Sequence, residues 1–129
     1  MPDAMQGRSF LAALDGGKEP DDWRKAIYYR YWMHMAHHDN PAHYGIRTKN
    51  FKLIFFYGAD YSGGNRTPTT WEFYDLEDDP HEMKNEYSNP DYRAIVSRLK
   101  AELKQVRSDL DETDDRYPGI QAIIDAHWE

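Results

Sequence analysis

The sequence predicts an α+β domain, with an antiparallel sheet of about four strands packed against one long C-terminal helix. Three observations carry this. Residues 43–57 hold two strongly β-prone runs, 44–48 and 51–57, separated by the turn-prone Lys49 and Asn50, which is the spacing of a hairpin. Ten Tyr, four Trp and five Phe give an aromatic load that suits sheet surfaces and argues against disorder. Tyr92, Ile95, Val96, Leu99, Leu103, Val106 and Leu110 recur at steps of three and four, drawing one apolar stripe along a helix.

The elements follow in order. Residues 6–14 are a short apolar piece closed by Asp15, Gly16 and Gly17, too short to stand as a helix without a neighbour. A first strand is expected over residues 26–32, with Ile27, Tyr29 and Tyr31 on one face. Residues 34–43 read as a loop, because Asp39, Asn40 and Pro41 are turn chemistry. In the hairpin, Tyr44, Ile46 and Thr48 point one way while Gly45 and Arg47 point the other. The run from Phe51 to Phe56 is too apolar to be wet on both faces, so it reads as a central strand. Residues 58–70 lack periodicity and form a surface loop, and residues 71–76 are a short aromatic strand. Pro80 with Glu82 behind it suggests one or two helical turns through Tyr87. Asn89, Pro90 and Asp91 are cap, first-turn and dipole residues for a helix over 90–110. An acidic linker over 111–116 leads to a tail in which Ile120, Ile123, Ile124 and Trp128 are placed to dock as a short helix.

A chain of 129 residues is one domain in size. Its formal net charge of −7 speaks against a nucleic-acid partner, which needs clustered Lys and Arg. No run is long enough for a membrane-spanning helix, and the first residues lack the basic and apolar regions of a signal peptide. Without Cys there is no disulfide, thiolate metal site or Cys nucleophile.

Chemistry-bearing residues concentrate in and after the His-rich loop. His34, His37, His38 and His43 with Asp39 offer metal-ligand types, but their spacing is not that of an established site, so no metal is assigned to them. Neutral imidazoles beside Asn and Tyr also suit hydrogen bonding to a sugar or an anionic ester, which makes His43, His37 and His38 candidate substrate-binding residues. Arg47 is a fourth candidate: its planar fork either reaches an anionic ligand or, more commonly, crosses to a carboxylate within the fold. Asp75, Glu77, Asp78 and Asp79 follow a strand end, where turn and cap roles account for them. There is no glycine-rich phosphate loop, no nucleophile elbow and no catalytic constellation.

Several stretches together resemble one family. These are Gln6-Gly7-Arg8-Ser9-Phe10-Leu11, Trp23-Arg24-Lys25, the strand from Ile27 to Trp32, and His43-Tyr44-Gly45-Ile46-Arg47-Thr48 with Phe51-Lys52-Leu53-Ile54. Glu72-Phe73-Tyr74-Asp75-Leu76 with Asp79-Pro80-His81-Glu82 and Asn85 follows them. In order and spacing they are similar to the C-terminal region of type I sulfatases, the formylglycine-dependent enzymes of the alkaline-phosphatase superfamily. Within that group they resemble bacterial glycan sulfatases akin to N-sulphoglucosamine sulphohydrolase. The family's nucleophile is a Cys or Ser in a Cys/Ser-X-Pro-X-Arg motif, and neither Cys nor Ser-X-Pro-X-Arg occurs here. The resemblance therefore implies a single C-terminal subdomain over residues 1–129, with 113–129 as a docking tail and Met1 serving as a start. It implies no catalysis by these residues alone, a role in scaffolding the catalytic domain, and loops that shape the substrate pocket. Calcium and formylglycine are implied for the missing catalytic domain and no cofactor for this region. The implied partners are that domain in the same full-length chain and, through the parent, a sulfated glycan; the implied parent is a periplasmic or secreted bacterial enzyme. The other reading is an independent carbohydrate- or metal-binding module using loop 34–43. Leu11, Leu14, Ile120, Ile123 and Trp128 have few obvious partners in the sequence, so an exposed apolar surface and self-association are expected.

Overall fold

In a computed structural model, the structure describes Gly7, residues 9–14, Gly16 and residues 23–129. Four strands form one antiparallel meander in the order β1-β2-β3-β4: β1 (Ala26–Tyr31), β2 (His43–Thr48), β3 (Phe51–Phe56) and β4 (Thr70–Asp75). A single turn, α1 (Leu11–Leu14), precedes them; α2 (Arg93–Asp109) and α3 (Pro118–His127) follow. The hairpin turns at Lys49 and Asn50, where the Thr48 hydroxyl accepts the Phe51 N–H at 3.0 Å.

Alternation along the strands sorts the side chains onto two faces. One face carries Tyr44, Ile46, Leu53, Phe55, Trp71 and Phe73, and α2 lies on it through Val96, Leu99 and Leu103. The stripe read from sequence is thus the packed stripe. Its start is a 3-10 turn over Pro90–Tyr92, capped as expected by Asn89, whose side chain accepts the Asp91 N–H at 3.0 Å.

The tail docks as the short helix expected of it, and only the expected apolar surface there is absent. Ile120, Ile123, Ile124 and Trp128 are buried, and the Trp128 ring sits 5.0 Å from Trp71 and 5.8 Å from Phe55. Their partners are sheet aromatics distant in sequence, so Ile120, Ile123 and Trp128 form no orphan patch; of the residues named for one, Leu11 and Leu14 are the exposed pair. The acidic linker also changes character. Asp114 is 1% exposed and binds both Arg30 of β1, at 2.6 Å, and Arg107 of α2.

Residues 80–87 form turns and no helix. Asn85 and Glu86 bind the free edge of β4. The Asn85 side chain accepts the Phe73 N–H at 3.0 Å and donates to the Trp71 carbonyl at 3.1 Å, and the Glu86 N–H donates to the Phe73 carbonyl at 2.9 Å. Asn85 thus completes the hydrogen bonding of an edge strand with a side chain, closing it to further pairing.

Candidate functional site

The sheet face turned away from the helices carries the candidate residues. His43 opens β2 there, with its ring stacked on Tyr31 at 5.5 Å, edge-on to Tyr29 at 5.9 Å and 4.8 Å from Phe56. Its Nδ1 lies 2.8 Å from the Pro41 carbonyl. A carbonyl only accepts, so Nδ1 carries a proton and donates it there, and Nε2 is the ring nitrogen that remains. The face of the ring is held by aromatics and its edge by the backbone, which fixes the direction in which Nε2 points.

Beside it, Tyr29 lies over Gly45, where an added Cβ would come within 2.5 Å of the Leu53 carbonyl oxygen and 2.8 Å of the Tyr29 hydroxyl. Burial, then the negative charge of Glu82, holds the Tyr29 phenol far above its ordinary range, and its hydroxyl has no partner among the described residues. Tyr74 is likewise pushed up to about 12, by burial and then by its bond to Glu72.

His34 is a connector. Its Nδ1 accepts the Ala42 N–H at 3.0 Å and its Nε2 donates to the Asn65 carbonyl at 2.6 Å, joining the 32–42 and 58–70 loops. The second loop is built on Asp60. Its carboxylate accepts from the Ser62 hydroxyl at 2.6 Å, the Ser62 N–H at 2.9 Å, the Gly64 N–H at 3.0 Å and the Asn65 amide at 2.6 Å. These bonds, the Ser62 hydroxyl first, hold the Asp60 carboxyl below the usual carboxylate range. His37 and His38 are exposed on the tip of the first loop, where Met35, His38 and Asp39 adopt left-handed backbone at φ of 56°, 56° and 52°. Among the described residues, no group of three His, Cys, Asp or Glu side chains is placed to hold a metal ion.

Arg47 lies two pleats from His43 on the same face, roughly 13 Å away along the strand. The structure does not bring the two together. Arg47 is exposed and makes no ion pair among the described residues, which corrects the expectation of an internal carboxylate partner. The carboxylates that do pair internally belong to Arg30, Arg107 and Lys52 instead. Asp75 and Asp79 hold turns, as their positions suggested: Asp75 accepts the Glu77 N–H at 3.0 Å and the Tyr92 hydroxyl at 3.1 Å, and Asp79 the Lys84 N–H at 2.8 Å. The Tyr29–Tyr31–His43–Phe56 cluster was not read from sequence; alternation marked Tyr29 and Tyr31, but only strand register sets them against His43.

Comparison with known proteins decides the family. Residues 1–109 match the model for the C-terminal region of N-sulphoglucosamine sulphohydrolase. The chain belongs to that family. Among relatives of this sulphohydrolase C-terminal region, an N-acetylglucosamine-6-O-sulfatase of Bacteroides thetaiotaomicron is 40% identical over 118 residues, covering 91% of this chain and 18% of its own. The multifunctional alkaline phosphatase superfamily protein PehA of Trinickia caryophylli is 31% identical over 96 residues, 74% of this chain and 18% of its own. A solved structure of BT4656 in complex with its substrate D-glucosamine-2-N,6-O-disulfate superposes with a TM-score of 0.77 at 36% identity, covering 89% of this chain and 22% of that one. The chain therefore spans about a fifth of the length of these relatives.

Proposed function

We propose that these residues are the C-terminal subdomain of a bacterial sulfatase that hydrolyses sulfate esters, or N-sulfate, of a glycan. The subdomain supports the catalytic domain and lends recognition groups to the substrate pocket. The observation that carries this is the 40% identity to an N-acetylglucosamine-6-O-sulfatase over 118 residues, a stretch long enough to take in the sheet and the long helix together. An independent sugar- or metal-binding module is less favoured: His34 of the His-rich loop is spent on the Ala42 N–H and the Asn65 carbonyl.

Calcium and formylglycine do not fit these residues. The chain has no Cys and no Ser-X-Pro-X-Arg, and the described residues hold no cluster of three metal-ligating side chains. No chemical step is assigned to this region; both groups belong to the proposed catalytic domain. What these residues supply is recognition. With the Nδ1–H of His43 given to the Pro41 carbonyl, Nε2 is the ring atom left to meet a polar group of the sugar. His37 and His38, exposed on the same loop, are the further candidates for the outer part of the glycan.

The test uses the protein encoded by the complete reading frame. Sulfate release from a sulfated glucosamine saccharide is expected, with none from the 129-residue chain alone. His43→Ala should lower kcat/KM for the saccharide about 10- to 100-fold, the worth of one or two kcal/mol of hydrogen bonding, and spare a small aryl sulfate. Equal loss on both substrates, together with a lowered Tm, would make His43 a purely structural residue. Absence of sulfate release by the complete protein would sink the reading as a whole.

A further inference from the structure

At the far end of β2 from His43, the start of β1, the β2–β3 turn and α2 enclose an open cleft of about 970 Å³. Lys25, Arg47, Lys49 and Arg98 line it, with Arg24, which has a partner of its own, at their side. The carboxylate among its described lining residues, Glu102, is already paired with Arg98 at 3.8 Å. In a chain of net charge −7, such a concentration of cations does not follow from composition. Nor do internal ion pairs explain it, since Lys25, Arg47 and Lys49 have no carboxylate partner among the described residues. The polar neighbours are spent as well: Thr48 holds the Phe51 N–H, and the Asn50 amide donates to Glu77 at 3.2 Å. Beside the cations stand the half-buried Trp23 ring and Ile27, which is 56% exposed.

Flat apolar surface flanked by guanidinium and ammonium groups is what an acidic saccharide requires. The C–H face of a sugar ring lies on an aromatic, and sulfate or carboxylate oxygens take a fork of N–H donors. We infer that this cleft is a binding site for an acidic saccharide, whose sulfate or carboxylate group is held by Arg47 and Lys49, roughly 13 Å along β2 from His43. A chain of two or three sugar residues spans that distance, so the cleft anchors a part of the glycan remote from the residue that His43 meets. The class of ligand rests on the sulfatase reading above; the site rests on the cleft and its cations.

Calorimetric titration of the 129-residue chain tests this at about 50 mM salt, where screening is weak. The probes are a fully sulfated heparin tetrasaccharide, the same tetrasaccharide desulfated with its carboxylates kept, inorganic sulfate, and poly-glutamate. Saturable binding of the sulfated tetrasaccharide is expected, and Arg47→Gln and Lys49→Gln should each weaken it about fivefold to tenfold, as loss of a solvent-exposed charge-assisted contact does. Arg116→Gln, which removes a cation outside the cleft, should leave it unchanged. Binding of the desulfated probe would identify the anion held as carboxylate and its loss as sulfate, either within the proposal. No binding, equal binding of poly-glutamate, inorganic sulfate as tight as the saccharide, or undiminished binding by both cleft variants would each overturn it. Sulfate release by the complete protein is a separate measurement, so failure of the sulfatase reading and failure of the cleft are told apart.

Discussion

Asp114→Asn is the substitution to which this fold should be most sensitive. The Asp114 side chain is wholly buried, and it faces two arginines whose side chains are 4% and 8% exposed. Burial works against the charge on Arg30, and the nearby Asp114 carboxylate overcomes it, so that the guanidinium is held above its ordinary value; Arg107 is likewise held up against burial, by Tyr44 and then by Asp114. Asparagine keeps the shape but removes the charge. Arg30 would then have Glu112 at 3.6 Å, a carboxylate 39% exposed, and Arg107 would have no anion among the described residues. The rings beneath them remain, Trp32 at 3.4 Å from Arg30 and Tyr44 at 4.1 Å from Arg107, and soften the loss without neutralising it. Breaking a buried pair by removing one partner costs about 3–5 kcal/mol. In a domain of this size that corresponds to a Tm lower by roughly 10–20 °C. Urea unfolding followed by Trp fluorescence, with thermal melting by circular dichroism, measures it. Asp111→Asn is the control: its pair with Arg116 has the same chemistry at 3.1 Å, but the side chains are 83% and 71% exposed, and its loss should stay within about 0.5 kcal/mol. A triple variant, Arg30→Met with Asp114→Leu and Arg107→Met, should recover most of the stability, because an apolar replacement leaves no buried charge unpaired. A loss below about 1 kcal/mol for Asp114→Asn, or a triple variant as weak as the single one, would refute the reasoning.

Asn85→Ala should cost about 1–3 kcal/mol, because it strips the β4 edge of its partners at Phe73 N–H and the Trp71 carbonyl; faster amide exchange at Phe73 is the local readout, and unchanged exchange there would count against it. Gly45→Ala should destabilise by about 1–3 kcal/mol, since the new methyl meets backbone oxygen at 2.5 Å, and a neutral result in urea would show that the strands yield. The Asp60 loop should be sensitive to acid: a carboxyl lowered on folding stabilises above its unfolded value near 3.9, and that contribution is lost as pH falls through the lower folded value. Protection of the Ser62 and Gly64 amides, measured relative to their intrinsic exchange, should therefore fall only below about pH 4, and a loss of protection already between pH 5 and 7 would count against Asp60 as its source.

Much of the architecture is local and was legible as such. Alternation at Tyr44, Ile46, Leu53 and Phe55 and the three-four stripe from Tyr92 to Leu103 are properties of a strand and a helix before either packs, because side-chain direction follows backbone period. The motif ending in Asn85 carried family membership in its spacing, yet not the reason for it. A side chain that completes the edge of β4 across 12 residues exists only once the strand does. The same limit applies to Pro80, where a good helix start gave way to turns that bring the Asn85 side chain and the Glu86 N–H to the edge of β4.

Sequence by itself determined the fold class, the strand faces and the identity of the recognition candidates; the tertiary structure decided which of them meet. His34 and His43 lie in one His-rich stretch, and opposite hydrogen-bond partners set them apart: the Nδ1 of His34 accepts the Ala42 N–H and ties two loops together, while the Nδ1 of His43 donates to the Pro41 carbonyl. Asp114 read as one more solvated acid in a linker, and contacts 84 residues back to Arg30 and seven residues back to Arg107 made it the carboxylate at the centre of a buried pair of arginines. Arg47 read as the arginine in need of a carboxylate, and the pairing went to Arg30 because alternation sends β1 position 30 to the helix face and β2 position 47 to the open one. Periodicity fixes the face of a residue, while charge pairing and burial depend on which distant segment arrives at that face, and no local pattern encodes that arrival.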